Sequence, residues 1–188
     1  MKMTFICLLL IGSNFFIAGQ DRNQDEKGAN SAGQIVERKY NRFNDQTIVK
    51  LAKQRILDTQ SPRQILEMSI EAMFKGEMPT QLSDTVEIVF TSSAKESPYY
   101  GPIELNVIVD GERLKSTKAN VGSSYNPQPP IAPDLRVTKD IRAFVDFSSL
   151  RKIAGGKKVE IQLGPTELTL DATTLANLSK LASAIFNK

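Results

Sequence analysis

Between Leu66 and Lys75 the chain alternates without a break: Leu66, Met68, Ile70, Ala72 and Phe74 are interleaved with Glu67, Ser69, Glu71, Met73 and Lys75. A period of two is the mark of a strand with one face on a core and the other on solvent. The same stretch also admits a helix. Ser61-Pro62-Arg63-Gln64 has the residues of an N-cap, a proline at the first helical position and a capping-box glutamine. Ile65, Leu66, Ser69, Ile70, Met73 and Phe74 would then share one face, and Gly76 would end the helix. Strand is the preferred reading of residues 62–75.

The other elements follow from the same patterning. Thr47–Leu51 is a short β-rich run, and Thr85–Thr91 places Val86, Ile88 and Phe90 on one face. Ile103–Val109 alternates Ile103, Leu105, Val107 and Val109 against Glu104, Asn106 and Ile108 before meeting Asp110-Gly111. That dipeptide favours the positive-φ turn of a two-residue hairpin, so Glu112–Thr117 is predicted to return antiparallel. Asn120–Asp134 carries Pro127, Pro129, Pro130 and Pro133. Prolines lack the amide donor of a central strand, which predicts a long loop of partly polyproline II character. Ile141–Phe147 reads as a strand, and Ser148–Ala154 as one or two helical turns stopped by Gly155-Gly156. Lys158–Leu163, a Gly164-Pro165 turn and Thr166–Leu170 make a second hairpin. The chain closes on an amphipathic helix with Asp171 as N-cap and Leu175, Leu178, Leu181, Ala182 and Ile185 as its apolar stripe, a face suited to docking on a sheet. About seven sequential strands and one terminal helix predict a mainly β (α+β) fold, an antiparallel β-sandwich or an open barrel with a C-terminal amphipathic helix.

The N-terminus has a different character. Lys2, an apolar run over Phe5–Ile17 broken at Gly12-Ser13-Asn14, and the small-residue exit Ala18-Gly19 have the order of a secretory signal, although Phe16 or Ile17 stands where a small residue is usual. The run is short of the roughly 20 residues that span a bilayer. Residues 1–19 are therefore expected to be a cleaved signal peptide, and no second segment approaches membrane-spanning length. Residues 20–35 are polar and charged, as a disordered tether would be. Residues 36–188 are expected to form a single mainly β domain, and a secreted or periplasmic location follows.

Composition then narrows the chemistry. The chain has no histidine and no tryptophan, and its one cysteine, Cys7, falls in the signal with no lipid-attachment box before it. The mature chain would have no thiol to form a disulfide and would rest on its core alone. Ser–His–Asp and Cys–His catalysis are excluded, as are the usual zinc, haem and iron–sulfur sites, so no cofactor, metal ligand or catalytic residue is predicted. Without Lys2 the charge balance is 23 basic to 21 acidic residues, which gives no electrostatic case for nucleic acid. Glu67, Glu71 and Glu87 are the candidates for a carboxylate pair acting on a glycosidic bond; the plainer reading is an outward polar face with its charges offset by lysines. Ser148 with Lys152, and Gly155-Gly156-Lys157-Lys158, lack the context of a serine–lysine pair or a phosphate loop. Tyr99, Tyr100 and Tyr125 flank loops and are the candidate contact surface for a protein or a sugar polymer.

Tyr40-Asn41-Arg42-Phe43-Asn44-Asp45-Gln46-Thr47 resembles an aromatic-[Asp/Asn]-Arg-Phe-x-Asp-x-Thr opening found in a loose group of uncharacterised secreted bacterial proteins. Val86–Ser93 resembles that group's second strand, Asp110–Arg113 its hairpin turn, and Val159–Gly164 with Glu167–Leu170 its closing hairpin before a helix. The resemblance runs over most of residues 40–186. It implies architecture and export, and it implies no catalytic residues. The expected role is an exported, non-catalytic binding or structural protein that contacts another envelope protein or a surface polymer. Two alternatives stand beside it: a carboxylate-dependent hydrolase acting on envelope polysaccharide, and a β-barrel carrier of a small apolar ligand lined by residues such as Phe90, Leu105 and Phe144. Arg42 and Asp45 are weighed as a structural pair, with packing at the strand start the preferred role.

Overall fold

In a computed structural model of the chain, which describes residues 34–79, 85–123 and 137–186, the alternating segment is strand β3 (Arg63–Lys75) and not a helix. The expected signal, nearly all of the expected tether, and the prolines of the 120–134 segment lie outside the described residues. The other strands are β1 (Val36–Asn41), β2 (Gln46–Gln60), β4 (Thr85–Ala94), β5 (Ile103–Val109), β6 (Glu112–Arg113), β7 (Thr117–Ser123), β8 (Val137–Asp146), β9 (Val159–Leu163) and β10 (Thr166–Thr169). Two helices complete the described residues, α1 (Phe147–Gly155) and α2 (Ala172–Phe186). All strands pair antiparallel in one ten-stranded sheet of order β1-β2-β3-β4-β8-β7-β5-β9-β10, with β6 on β5. The sheet curls into a half-barrel, so the open-barrel alternative describes it, with the C-terminal helix as expected.

The pleat decides which side chains meet. Leu66, Met68, Ile70, Ala72 and Phe74 of β3 point inward beside Val86, Ile88 and Phe90 of β4 and Ile141, Ala143 and Val145 of β8, all buried. The helices add Leu150 and Ile153 from α1 and Leu178, Leu181 and Ile185 from α2 to the same core. Of the predicted stripe, Leu178, Leu181 and Ile185 are fully buried, while Leu175 and Ala182 pack at its margin. Each fully buried aliphatic side chain contributes about 1.5–3 kcal/mol relative to exposure. Arg38 of β1 donates to the carbonyl oxygens of Ala184 and Glu77, fastening the last turn of α2 to the sheet edge.

Where the structure departs from the sequence reading, the cause is local. β2 runs to Gln60, well past Leu51, because register shifts between Leu51 and Gln54 and between Arg55 and Leu57 break the period of two in its second half. The return from Asp110-Gly111 is interrupted rather than continuous. Glu112 and Arg113 pair with Val109 and Ile108, whereas Thr117 pairs with Leu105, so one extra residue is accommodated between them. Leu114, whose amide donates to Val107 O, keeps the register of Glu112 and Arg113 and lies in the core opposite Val107, so the extra residue falls between Leu114 and Thr117. The strand then resumes and continues to Ser123, taking the first residues of the stretch expected to be loop. Phe147 opens α1 instead of ending β8. Ile35, placed in the tether, packs against the core, and its carbonyl accepts the amide of Ala52.

Three aspartates close the turns. Asp146 caps α1 by accepting Ser149 N at 2.6 Å, and Asp171 caps α2 by accepting Thr174 N at 2.6 Å. Asp110 accepts the amides of Lys157 and Lys158 at 3.0 and 2.8 Å. These backbone hydrogen bonds hold all three carboxyls below the ordinary aspartate value of 3.8. A depressed folded-state value contributes stability that is complete above the unfolded value and is lost as pH falls through the folded one. Unfolding in urea is therefore expected to become easier below about pH 4. The double variant Asp146→Asn/Asp171→Asn keeps both cap oxygens, so it is expected to stay within about 1 kcal/mol of the parent at pH 7. Its further loss at pH 3 should be smaller than the parent's; an equal loss would remove the caps from the account of acid sensitivity.

Candidate functional site

The segment after β4 reverses the chain with Ser97 as its pivot. Ser97 Oγ accepts the amide of Tyr99 at 3.1 Å and donates to Tyr99 O at 3.3 Å, and Gly101 follows with φ of 64°. This geometry sends the two adjacent tyrosines in opposite directions. Tyr99 is fully buried. Its hydroxyl donates to Thr166 Oγ1 of β10 at 2.8 Å and accepts from Gln64 Nε2 of β3 at 3.2 Å. Burial pushes the phenol above its usual value, opposed by these two hydrogen bonds, so it stays neutral. The expectation that Tyr99 belongs to an outward contact surface is thereby corrected: it is a buried tie between the segment and two distant strands. Tyr100 is 73% exposed, and Tyr125 lies outside the described residues.

Tyr100 stands over a groove of about 490 Å³ lined by Pro62, Arg63, Pro98 and Lys95 among others. Its two walls come from distant parts of the sequence, the start of β3 and the segment after β4. The register Gln64↔Ala94 brings them together. Two prolines and an aromatic ring supply flat apolar contact, and Arg63, Lys95 and Glu96 among the lining residues supply charge. Such a surface suits an extended polymer, with ring stacking for affinity and charged groups for orientation. No periodic signal in the sequence marks Pro62 or Pro98 as its partners.

The other candidates fall elsewhere. Glu67, Glu71 and Glu87 occupy the outward face of β3 and β4, and each faces a cation: Lys53 Nζ at 4.0 Å, Lys50 Nζ at 2.9 Å and Arg142 Nη1 at 2.9 Å. Glu71 and Glu87 are register partners, and none of the three lines the Tyr100 groove. The arrangement matches the plainer reading of offset surface charge, in which such exposed pairs contribute little. Phe90 and Leu105 are buried inside, whereas Phe144 points outward at 48% exposure, so these three do not surround one cavity. Ser148 Oγ donates to Asp146, and Lys152 binds Glu112 at 2.7 Å, so the spaced serine and lysine are not brought together. Gly155-Gly156 ends α1, and a β-carbon at Gly156 would lie 2.5 Å from Val109 Cγ1. Arg42 and Asp45 do not pair: Asp45 accepts the Tyr40 hydroxyl at 2.9 Å, and Arg42 lies over the Phe43 ring. Among the described residues, no group of three or more Asp, Glu, His or Cys is placed to hold a metal.

Compared with protein-family models, with curated proteins and with solved structures, the chain matches none of them.

Proposed function

We propose that this protein is an exported, non-catalytic binding module, and that the groove under Tyr100 holds an extended segment of another envelope protein or of a surface polymer. The observation that carries this reading is the contrast between neighbours. The chain buries and twice hydrogen-bonds Tyr99, yet leaves Tyr100 open above two prolines that the β3–β4 register brings to it. The outward Phe144 and the cation-paired carboxylates lend no geometric support to an apolar carrier lined by that residue or to a hydrolase. Export rests on the signal-like order of residues 1–19.

The test begins with in-cell cross-linking of the tagged chain and identification of a stoichiometric partner, followed by titration of that partner against variants. Exposed aromatic anchors in a groove carry a disproportionate share of binding energy, about 2 kcal/mol or more on truncation. Tyr100→Ala is expected to weaken the complex about 30-fold while leaving thermal unfolding unchanged, and Lys180→Ala on α2 should leave both unchanged. Full-strength binding by Tyr100→Ala would remove the groove from the interaction.

A further inference from the structure

The turn joining β1 and β2 presents Phe43 with 89% of its surface exposed. This turn is heavily tied down. Phe43 N donates to Asn41 Oδ1 at 3.0 Å, the Tyr40 hydroxyl to Asp45 Oδ1 at 2.9 Å, and Asn44 Nδ2 to Gln46 Oε1 at 3.2 Å. Gly76 N donates to Asp45 O at 2.7 Å and Thr47 Oγ1 to Gly76 O at 2.6 Å, which fixes the tip to the end of β3. A phenyl ring held out of the core on so constrained a turn contributes little to folding, so its exposure calls for a partner.

The surroundings of the ring indicate which partner. Arg42 lies 5.2 Å from the Phe43 ring centroid. The registers Lys39↔Ile48↔Met73 and Asn41↔Gln46↔Lys75 put Lys39 and Lys75 on the outward face with Ile48 and with Met73, itself 46% exposed. Lys39, Arg42 and Lys75 form no ion pair among the described residues. Asp45, engaged by Tyr40 and by its turn, and Glu77 are acids beside them, and Glu37 and Glu71 follow on the same outward face one cross-strand pair further from the tip, Glu71 bonded to Lys50 at 2.9 Å.

We infer that this tip docks on an anionic lipid surface, with the Phe43 ring and Met73 at the acyl boundary and Lys39, Arg42 and Lys75 at the level of the phosphates. The geometry favours lipid over protein on two grounds. A single ring on a convex projection meets a fluid layer that closes around it, whereas a protein partner would need a matching pocket. Two of the three cations are lysines, which are depleted in protein interfaces and effective at anionic membranes. The tip lies at the opposite end of β3 from the Tyr100 groove, roughly 35 Å of extended chain away, so the two surfaces are independent.

The chain contains no tryptophan, so Phe43→Trp installs a single emitter at the tip. Vesicles of phosphatidylcholine with phosphatidylglycerol are expected to shift its emission to the blue, and acyl-brominated lipid to quench it. Vesicles of phosphatidylcholine alone should do neither. The apolar residues 5–17, if still attached, would bring the chain to both vesicle types alike, so the difference between them reports the tip. Adding Lys39→Gln and Lys75→Gln to this variant should lower its partition into anionic vesicles about 25-fold, at roughly fivefold per cation. An unshifted emission with anionic vesicles, or an equal shift with neutral ones, would overturn the assignment. So would a shift produced by an acidic protein while vesicles stay silent, which would assign the tip to a protein partner.

Discussion

Replacing Phe147 by alanine is expected to destabilise the fold by about 3–5 kcal/mol, seen as a fall in the urea midpoint at unchanged slope. Phe147 is fully buried at the start of α1, where three aromatic rings meet. Its ring lies 6.0 Å from that of Phe74 in β3 and 5.8 Å from that of Phe186 in α2, both edge to face. The substitution therefore removes one apolar side chain and two oriented ring contacts, and it leaves a cavity bounded by strand on one side and helix on the other. Neither wall can collapse easily, because α1 is capped at Asp146 and Arg38 holds the last turn of α2 to β1. Whole domains are stable by about 5–15 kcal/mol, so this one change takes a large share. Phe147→Leu keeps most of the volume and is expected to lose clearly less. A cost below about 1 kcal/mol for Phe147→Ala would mean that the helices do not depend on this contact to stay on the sheet.

Much of that architecture was legible in the sequence, and the parts that were not share a cause. β3, β5, β9 and α2 were readable because each keeps one period throughout, with Leu66 to Phe74, Leu105 to Val109, Val159 to Leu163 and Leu178 to Ile185 all turned to one core. The second half of β2 was not readable, since register shifts break its phase and period-two reasoning then assigns the wrong face, and the extra residue between Leu114 and Thr117 does the same to the return strand beyond Leu114. The helical reading of residues 62–75 failed for a related reason. Ser61-Pro62 has the residues of a helix start, but in the fold it is the turn between two long strands, and cross-strand burial of Met68, Ile70 and Phe74 overrides the local cap signal.

The candidate sites were less legible than the fold. Both the Tyr100 groove and the Phe43 tip are products of register. Pro62 and Pro98 lie on segments joined by the Gln64↔Ala94 pairing, and Lys75 reaches the tip only through its pairing with Gln46. Nothing in the spacing of these residues along the chain encodes that proximity. The Tyr40–Thr47 stretch, which ends β1, makes the turn and starts β2, carries no hairpin signal in its own residues. It could not show that the ring points away from the core, because a turn has no periodicity from which to read a face.

The two adjacent tyrosines should therefore behave oppositely when changed. Tyr99→Ala is expected to cost about 3–5 kcal/mol, since it empties a buried site. Tyr99→Phe keeps the ring and removes only the hydroxyl, so Gln64 Nε2 and Thr166 Oγ1 lose their shared partner; about 1–3 kcal/mol is expected from that alone. Tyr100→Ala should fall within about 0.5 kcal/mol of the parent, as an exposed change away from core and caps does. The step from Tyr99→Phe to the parent isolates the hydrogen bonds, and the step from Tyr99→Ala to Tyr99→Phe isolates the packing. If Tyr99→Phe costs nothing, the hydroxyl does not tie β3 to β10. The converse result, a large stability loss for Tyr100→Ala, would make that ring part of the fold and take away the reason for reading its exposure as a contact site. The pair thus tests in one set of unfolding curves whether burial and binding have been assigned to the right neighbour.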